Sequence, residues 1–568
     1  MDYLKSYEYW KTNPFFDEKT REELSLLDSK KNEKEIIDRF YKNLEFGTAG
    51  LRGIMAAGTN CMNKYTVGKA TLGLAEYLIE RYGESNCRKR GVVIAYDTRN
   101  NSEYFSQITS SVLTAKGVKV YYYKNTSPIP ILSYGVRKFN ALAGVVITAS
   151  HNPREYNGYK VYDETGCQIT SEMAKGVAEK ISKISDYSVI NFSRNEKLIQ
   201  VVDLTDEFVS LITALSKNKD KKSKANLKVV YTPLHGSGFV PVCKVLKKDG
   251  FSDLHVVEEQ ALPNGDFPTV SAPNPENHDA LKLGIELAEK IGADIVLGTD
   301  PDSDRVGLAV KTNHGFKLVT GNQIAALLID FLVSKLDKKK TPKPIIIKTI
   351  VSSELGEMIA EKHGVKTISV LTGFKYIGEK INLFERAKLS GEKKFDYDFL
   401  IGYEESYGYL IGKHARDKDG VVASMFLCEI AAEIKVQNKT LVDRLNELYG
   451  EYGYIVDHQD NLVLKGKDGA DRIARMMKFL REKSIPIKGV KKIIDYSKPV
   501  CENSGFEKLP ASNVLKFILE DDSWIAVRPS GTEPKIKVYY SMRGEVEKQA
   551  IEKLIATQRI INKVMKIK

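Results

Sequence analysis

Seven short apolar runs, each ending abruptly in small or polar residues, constrain the fold of this chain most strongly. They are VVIAYDTR (92–99), GVVITASH (144–151), LKVVYTPLHG (227–236), ADIVLGTDPD (293–302), PIIIKTIVSS (344–353), DFLIGYEES (398–406) and SWIAVRPSG (523–531). Continuous apolar runs are typical of strands buried on both faces, as in parallel sheets. Helical patterns such as ALKLGIELAEKI lie between them. The sequence therefore predicts an α/β protein built from several strand–helix modules.

A chain of 568 residues is too long for one hydrophobic core, and we expect four domains. Charged or turn-rich segments near 185–205, 311–322 and 435–455 are the candidate joints. The predicted boundaries are 1–204, 205–318, 319–448 and 449–568. The first of these domains begins with a prefix of helical character that ends at about residue 40.

Several features of the composition argue against a membrane or secreted protein. No apolar run approaches the roughly 18–20 residues that span a bilayer, and the longest candidate, IAALLIDFLV (324–333), predicts a buried helix. The polar opening has no signal-peptide core. The six cysteines lie far apart and show neither a metal spacing nor a disulfide framework. We therefore expect a cytoplasmic protein.

The net charge of +12 raises the question of nucleic-acid binding. Much of the surplus lies in KNKDKKSK (217–224) and KLDKKKTPK (335–343). Neither cluster contains aromatic residues that stack on bases, so we interpret both as solvated linkers. We expect no nucleic-acid and no membrane partner. Strongly salt-dependent affinity for DNA or RNA would favour the alternative.

The loop GTDPDSDR (298–305) places three carboxylates at alternate positions, Asp300, Asp302 and Asp304. Carboxylates spaced in this way can converge on one hard cation. An EF-hand is excluded because Arg305 stands where that loop requires glycine, and Lys311 stands where it requires glutamate. We interpret the loop as a Mg²⁺ site shared with a phosphate. The alternative is an aspartate-rich turn whose side chains cap their own backbone.

The loop ITASHNP (147–153) ends another of the apolar runs. Ser150, beside His151 at a sharp strand exit, is a candidate nucleophile or phosphate carrier. No GxSxG elbow surrounds it, which argues against an acyl-transfer triad. The alternative is a turn serine with a capping histidine.

Two later loops have the composition of a sugar-phosphate site. RPSGTEPK (528–535) combines a guanidinium, two hydroxyls and a glycine, which suits a clamp on a phosphate dianion. GYEESYG (402–408) offers carboxylates and a hydroxyl that suit vicinal sugar hydroxyls. The alternatives are a basic hairpin turn and a surface turn.

The ordered set of these loops resembles the α-D-phosphohexomutase superfamily, and most of all its long bacterial-type phosphoglucomutase branch. The resemblance covers nearly the whole chain, from FGTAGLRG (46–53) to RPSGTEPK. It implies three similar mixed-sheet α/β domains plus a smaller C-terminal α+β domain around a central cleft. It also implies the interconversion of glucose 1-phosphate and glucose 6-phosphate through a phosphoserine enzyme and a glucose 1,6-bisphosphate intermediate, with Mg²⁺ as cofactor.

The resemblance also implies roles for individual residues. The phosphoryl group would be carried by Ser150, beside His151, and Mg²⁺ would be held by a phosphoserine oxygen with Asp300, Asp302 and Asp304. Other residues at the reacting phosphate would be Arg52, Arg305 and the proton-handling candidates Lys160 and Lys418. Substrate-binding matches are Thr372, Gly373, Phe374 and Lys375 for sugar orientation, Glu404 and Ser406 for sugar hydroxyls, and Arg528, Ser530, Gly531 and Thr532 for the second phosphate.

This chain departs from the family pattern in two places that affect which residue we expect to transfer the proton during the reaction. The phosphomannomutase-type loop has a histidine two residues after its serine, where this chain has Gly408. The segment from Glu404 to Lys418 is also one residue longer than in the animal phosphoglucomutases. The first departure favours Lys418 for proton transfer.

Alternative functions are a phosphomannomutase or phosphopentomutase, a metal-dependent sugar phosphatase, and a sugar-phosphate-binding regulator. We expect sugar phosphates as partners, and a monomer or weak homodimer.

Overall fold

The computed structural model describes residues 2–27, 31–48, 50–464, 466–483, 485, 487–529 and 535–565. It divides into two compact units. The first unit contains Met1–Val319, Ile377–Phe395 and Gly408–Gln437, and the second contains Thr320–Tyr376, Asp396–Tyr407 and Asn438–Lys568. Among the described residues, no helix has both the length and the apolar character needed to cross a bilayer.

The first third of the chain folds as a helical prefix and a six-stranded sheet with its helices. Its helices and strands are α1 Tyr3–Thr12, α2 Glu18–Ser25, α3 Glu33–Phe40, β1 Leu51–Ile54, α4 Lys64–Tyr82, α5 Glu84–Arg90, β2 Val92–Tyr96, α6 Ser102–Ala115, β3 Val120–Tyr123, α7 Ile129–Lys138, β4 Ala143–Ile147, β5 Tyr156–Asp163, α8 Ser171–Lys183 and β6 Ile199–Val202. Two short 3₁₀ helices, Tyr187–Val189 and Glu196–Leu198, precede β6.

The predicted helical prefix is confirmed, and its helices are held by aromatic packing. Asp2 caps α1 and Asp17 caps α2, each by accepting a hydrogen bond from a backbone amide of the first turn. Trp10 stacks on Phe16 with ring centroids 4.4 Å apart, and both rings contact Tyr65 of α4. The prefix therefore buries its apolar face on the first sheet domain.

The strand order of the first sheet is β1-β5-β4-β2-β3-β6. Strand β2 runs parallel to β3 and β4, whereas β5 is antiparallel to β1 and β4. The carboxyl ends of β2 and β4 therefore reach the same edge of the sheet. The loops 97–101 and 148–155 follow these two ends.

The next stretch forms a five-stranded sheet in the order β11-β10-β9-β7-β8. Its elements are α9 Thr205–Ala214, α10 Lys221–Ala225, β7 Val229–Thr232, α11 Phe239–Asp249, β8 Leu254–Val256, α12 Glu258–Ala261, α13 His278–Ile291, β9 Ile295–Thr299, β10 Val306–Thr312 and β11 Gly315–Val319. The metal-type loop 300–305 connects the central strand β9 to the antiparallel β10.

The following stretch supplies elements to both units. These are α14 Gly321–Ser334, β12 Pro344–Thr349, α15 Leu355–Lys362, β13 Lys366–Val370, α16 Phe374–Ser390, β14 Asp398–Glu404, β15 Gly408–Ile411, α17 Gly420–Lys435 and α18 Leu441–Tyr452. Strand β12 pairs in parallel with β13 and β14 in the second unit. The predicted buried helix at 324–333 is confirmed as α14.

One of the two lysine clusters predicted as solvated linkers is partly buried, so that prediction was wrong for 217–224. Lys224 lies in α10 and is 2% exposed. Its Nζ lies 2.6 Å from Asp249 Oδ2 and 2.8 Å from Glu429 Oε1 of α17. The ammonium is buried there because two carboxylates pair with it.

The last stretch forms an antiparallel sheet in the order β16-β20-β19-β18-β17. Its elements are β16 Tyr454–Val463, α19 Gly466–Lys483, β17 Val490–Asp495, β18 Leu515–Leu519, β19 Trp524–Pro529, β20 Lys535–Gly544 and α20 Glu547–Met565.

All seven apolar runs form strands, but SWIAV lies in an antiparallel sheet, which the parallel pattern did not predict. It is apolar on both faces because a separate core packs on each face. Ile525 and Val527 belong to one core, and Trp524 and Ala526 belong to the other.

Candidate active site

The serine loop and the acidic loop meet in the first unit. Ser150 follows β4 and Asp300 follows β9, and the Ser150 hydroxyl donates to Asp300 Oδ2 at 2.7 Å. Ser150 has a left-handed backbone with φ of 52°, and its amide donates to Thr148 Oγ1 at 2.8 Å. A non-glycine residue adopts this conformation only where its surroundings impose it, as at many functional sites. The expected convergence of hydroxyl and carboxylates is thus observed.

The three aspartates form one buried group. Asp300, Asp302 and Asp304 are at most 2% exposed, and one carboxylate oxygen from each lies within 4.8 Å of the others. Burial, with the charges of Asp302 and Asp304, raises the pKa of Asp300 well above its usual value. Burial acts against ionisation of Asp302 as well, but Lys160 and the hydrogen bond with Asp300 outweigh it and lower the pKa of Asp302.

Two lysines pair with this group from different segments. Lys160 Nζ donates to Asp302 Oδ2 at 2.9 Å. Lys418 Nζ lies 3.0 Å from Asp304 Oδ2 and 3.1 Å from Asp417 Oδ1. The backbone holds the second lysine in place, because the amide of Gly420 donates to Ser303 O at 2.9 Å. The structure therefore brings both predicted proton-handling residues to the acidic loop.

The acidic group fits a hard divalent cation. Asp302 Oδ1 and Asp304 Oδ1 are buried and, among the described residues, have no hydrogen-bond partner. Buried polar atoms without a partner are rare in native proteins, and a bound ion is one physical reason for them. The three aspartates offer only oxygen ligands, which is the donor type that Mg²⁺ prefers.

The other residues predicted at the phosphate lie around the serine. His151 Nδ1 is 3.1 Å from Ser150 Oγ. Burial, together with Arg305 and Arg52, lowers the pKa of His151 well below its usual value, so the imidazole is neutral. Arg52 Nη1 donates to Asn152 Oδ1 at 3.3 Å. Arg305 follows Asp304 and forms an ion pair with Glu276.

The second unit holds the predicted sugar-type loops. The amide of Gly373 donates to Glu404 Oε1 at 2.9 Å, so the loop before α16 and the end of β14 are joined. Gly373 has φ of 117°, which a residue with a side chain rarely adopts. Thr372 precedes it, Phe374 and Lys375 begin α16, and Ser406 lies in the turn after β14.

Arg528, predicted in the phosphate clamp, is the penultimate residue of β19 in the same unit. Burial raises the pKa of Tyr539, with Glu405 acting in the same direction and Arg528 against it. Arg528 and Glu405 thus both act on the Tyr539 hydroxyl of β20. Ser530, Gly531 and Thr532 fall outside the described residues.

Four family models match successive parts of the chain. They describe domains I, II and III and the C-terminal domain of phosphoglucomutase/phosphomannomutase, at residues 43–188, 206–315, 320–452 and 434–558. The chain belongs to the phosphoglucomutase/phosphomannomutase family. The predicted superfamily is confirmed, whereas the individual domain boundaries stay predictions.

Curated members of the family are similar over most of their length. A phosphoglucomutase from Staphylococcus haemolyticus is 37% identical over 517 residues, which cover 89% of this chain and 91% of the relative. A phosphoglucomutase from Staphylococcus aureus is 35% identical over 521 residues, covering 89% and 90%. As a member of the phosphoglucomutase/phosphomannomutase family, the chain is an intramolecular phosphotransferase of the isomerase class.

Solved structures of the same family share the fold. Parafusin, an exocytosis-sensitive phosphoprotein and phosphoglucomutase from Paramecium, superposes with a TM-score of 0.67 at 19% identity, over 92% of this chain and 95% of that chain. A phosphoglucomutase/phosphomannomutase family protein from Burkholderia thailandensis gives 0.65 at 18% identity, over 92% and 97%. The predicted four-domain fold is therefore confirmed. The family also implies a metal ion, typically Mg²⁺, which agrees with the acidic triplet.

The structure explains why glycine occupies position 408. A Cβ atom added to Gly408 would lie 2.1 Å from Cδ of Lys418. The aliphatic part of Lys418 therefore lies directly over this glycine on its way to Asp304. A histidine at 408, as in the phosphomannomutase-type loop of the family, would take the space that Lys418 occupies.

Sequence reasoning missed three groups at this site. Arg99 donates to four carbonyls of the segment 150–156, which is the serine loop with the first residue of β5. Thr148 Oγ1 donates to Asp302 Oδ2 at 3.1 Å, and Glu276 pairs with Arg305. Arg99 could have been found, because it follows a predicted strand that ends at the same sheet edge. Glu276 lies in an irregular loop, and no pattern predicted its position.

Proposed function

We propose that this chain interconverts glucose 1-phosphate and glucose 6-phosphate, with Ser150 as the phosphoryl carrier and glucose 1,6-bisphosphate as the intermediate. The single observation that carries the proposal is the 2.7 Å contact between the Ser150 hydroxyl and Asp300, which belongs to a buried group of three carboxylates. Ser150 gives its phosphoryl group to one sugar hydroxyl, and after the bisphosphate has turned end for end it takes back the phosphoryl group carried by the other hydroxyl, which leaves the isomeric monophosphate. The 35–37% identity to phosphoglucomutases supports glucose as the sugar.

The charge of a phosphoserine must be offset before a hydroxyl can attack it. A phosphoserine carries about −1.5 to −2 charges at neutral pH. Asp300, Asp302 and Asp304 would hold Mg²⁺ with a phosphoserine oxygen, and the cation would stabilise charge on the phosphoryl oxygens during in-line transfer. The guanidinium groups of Arg305 and Arg52 would add to this on the protein side.

Proton transfer falls to groups that already lie at the acidic triplet. Lys418 and Lys160 are the two candidates, because the Nζ of each contacts one of its carboxylates. The lysine that acts would take the hydroxyl proton as a neutral amine and give it back as an ammonium. The position of Lys418 over Gly408 favours Lys418. His151 is neutral and lies 3.1 Å from Ser150 Oγ, so it would orient the serine hydroxyl rather than add charge.

The family resemblance assigns the rest of the substrate to residues that lie in the second unit. Glu404 and Ser406 would accept from and donate to the sugar hydroxyls. The loop from Thr372 to Lys375 would sense the orientation of the sugar, since the amide of Gly373 donates a hydrogen bond to the sugar-binding residue Glu404. Arg528 would hold the phosphate that does not react, with Ser530, Gly531 and Thr532 completing the clamp by resemblance. A guanidinium recognises a phosphate on either carbon, which suits a bisphosphate that must bind in two orientations.

Turnover of the Ser150→Ala variant tests this proposal. The expected result is loss of the conversion of glucose 1-phosphate to glucose 6-phosphate with an unchanged unfolding midpoint. The exposed Ser182→Ala serves as the matched control and should keep the wild-type rate. Wild-type turnover in Ser150→Ala would contradict the carrier assignment. Phosphate release without isomerisation in the wild type would indicate a phosphatase instead.

The sugar preference needs a separate comparison. Catalytic efficiency should be measured on the 1-phosphates of glucose, mannose, ribose and N-acetylglucosamine, and glucose should be the best of the four. A higher efficiency on mannose or ribose would favour a phosphomannomutase or phosphopentomutase. The cytoplasmic location, the monomer or weak homodimer, and the lack of nucleic-acid and membrane partners stay predictions.

A further inference from the structure

Arg99 holds the main chain of the serine loop from inside the first unit. Its Nη1 donates to Pro153 O at 2.9 Å and to Tyr156 O at 3.1 Å. Its Nη2 donates to Ser150 O at 2.6 Å and to Asn152 O. One guanidinium thus satisfies four carbonyls of the segment 150–156. It contacts no side chain of that loop through these bonds, so its effect on Ser150 is on backbone conformation.

The guanidinium is itself fixed on its remaining sides. Arg99 is 3% exposed, and its Nε lies 3.5 Å from Asp97 Oδ2. Asp97 is held in turn, because its Oδ1 accepts from the Arg99 amide at 3.0 Å and from Ser102 Oγ at 2.6 Å. The ring of Phe267 covers the guanidinium, with the carbon of the guanidinium 5.0 Å from the ring centroid.

This arrangement joins the two halves of the site. Arg99 lies in the loop after β2 of the first sheet, whereas Phe267 belongs to a loop that precedes α13, which packs on the second sheet. The side-chain amide of Asn100, next to Arg99, donates to Asp266 Oδ1 at 2.9 Å. The segment 97–100 therefore touches both the serine loop and the module that carries the acidic loop.

We propose that Arg99 is the positioning residue that holds the serine loop in its left-handed turn, so that Ser150 Oγ points at Asp300. The inference rests on the proposed function, since it concerns the residue assigned there as phosphoryl carrier. A positioning residue is needed because a φ of 52° at Ser150 is unfavourable unless hydrogen bonds hold the neighbouring carbonyls. Only a planar fork with five N–H donors can serve four acceptors at once.

The Arg99→Lys variant tests the proposal because it keeps the positive charge and removes the fork. A misplacement of a reacting group by about 1 Å costs on the order of 100-fold in rate. We expect kcat to fall about 10- to 100-fold while KM for glucose 1-phosphate stays within about twofold. We also expect faster hydrogen–deuterium exchange in the peptide that spans 148–156.

A matched control separates positioning from general stability. Arg39 is half-buried and, like Arg99, has several partners, since it pairs with Glu23 and Glu35 in the helical prefix. Arg39→Lys should lower the unfolding midpoint without changing kcat or exchange in 148–156. Wild-type kcat in Arg99→Lys would overturn the proposal. An equal loss of kcat in Arg39→Lys would also overturn it, because stability alone would then account for the effect.

Two further variants keep the test informative if Arg99→Lys does not fold. In Arg99→Ala, added methylguanidinium should restore a saturable part of kcat, whereas added methylammonium should not. In Asp97→Asn, the guanidinium of Arg99 stays but loses its counter-charge. The peptide that spans 148–156 should then exchange faster, and kcat should be lower. Failure of both effects would overturn the proposal. The wild type and Ser150→Ala in the same assay show separately whether the proposed function holds.

Discussion

The Ser150 hydroxyl and the Asp300 carboxylate are 2.7 Å apart, although 150 residues separate them in the chain. The contact joins the carboxyl end of β4 in one sheet to the carboxyl end of β9 in the next. A serine with no charged neighbour would be a weak nucleophile and an unstable site for a phosphate dianion. This pairing places the hydroxyl where a cation and several ammonium and guanidinium groups can offset that charge.

Replacing Asp302 by asparagine should disable the metal site. Asp302 is fully buried, and its Oδ1 has no hydrogen-bond partner among the described residues. Loss of the charge removes one ligand and leaves Lys160 without its ion pair. We expect kcat/KM to fall at least about 100-fold, with weaker Mg²⁺ binding by calorimetry. The exposed Asp206→Asn is the control, and full Mg²⁺-dependent activity in Asp302→Asn would refute the metal assignment.

Adding a single methyl group at position 408 should displace Lys418. The Cβ atom of Gly408→Ala would lie 2.1 Å from Lys418 Cδ, so the lysine side chain must leave its place beside Asp304. Because positioned acid–base groups contribute about 100- to 10,000-fold to rate, we expect at least a tenfold loss of kcat.

Gly450→Ala is the matched control for that substitution, since a Cβ atom there meets nothing within 4 Å. It should leave kcat unchanged and should not destabilise the protein. Unaltered kcat in Gly408→Ala would argue against a role for Lys418 in the reaction.

Much of the fold and part of the site followed from local sequence patterns. The strands were predictable because continuous apolar runs such as 143–147 and 295–299 have few other stable environments. The site residues were predictable where all the groups that act together lie in one short loop, as the three aspartates do. Ser150 and Asp300 could be paired in advance only through the family resemblance, because no local pattern encodes a contact across 150 residues.

The errors and omissions have a common physical cause. Lys224 looked solvated because its neighbours in sequence are charged, but its partners Asp249 and Glu429 come from distant helices. Arg99 was not singled out because its acceptors are backbone carbonyls, which have no sequence signature. Tertiary contacts therefore decide what single residues do, even where the secondary structure is clear.

The carboxylate of Glu404 should matter for sugar binding rather than for phosphoryl transfer. Its Oε1 accepts from the amide of Gly373, and Glu404→Gln keeps the shape but removes the charge. A hydrogen bond to a charged group is worth about 1.5–3 kcal/mol, so we expect KM for glucose 1-phosphate to rise about tenfold or more. Exposed Glu361→Gln is the control. An unchanged KM in Glu404→Gln would contradict its assignment to the sugar.

Asp457 of β16 should make the stability of the second unit depend on pH. Its Oδ1 is buried without a hydrogen-bond partner among the described residues. Burial raises the pKa of Asp457 to about 6, although the Ser541 and Ser353 hydroxyls act against this. The pKa of Asp457 in the folded protein lies above its usual value, so ionising this carboxyl at high pH costs the native state free energy. That cost reaches about 3 kcal/mol at pH 8 and falls away as the pH drops from about 6 towards 4.

The Asp457→Asn variant should therefore be more stable than the wild type at pH 8 and nearly equal to it at pH 4. Urea unfolding in a Trp10→Phe background measures this, because Trp524 of the second unit is then the remaining tryptophan. The exposed Asp471→Asn should show no such difference. A gain in the free energy of unfolding that is the same at both pH values would rule out this origin.

The most direct test of the account is to follow the phosphate itself. The protein should be incubated with Mg²⁺ and glucose 1,6-bisphosphate labelled in its phosphates, and then chased with unlabelled glucose 1-phosphate. We expect one labelled phosphate per chain, located on Ser150 by peptide mass spectrometry, and its transfer to sugar at a rate no slower than kcat. Label on another residue, or turnover without any labelled Ser150, would contradict it.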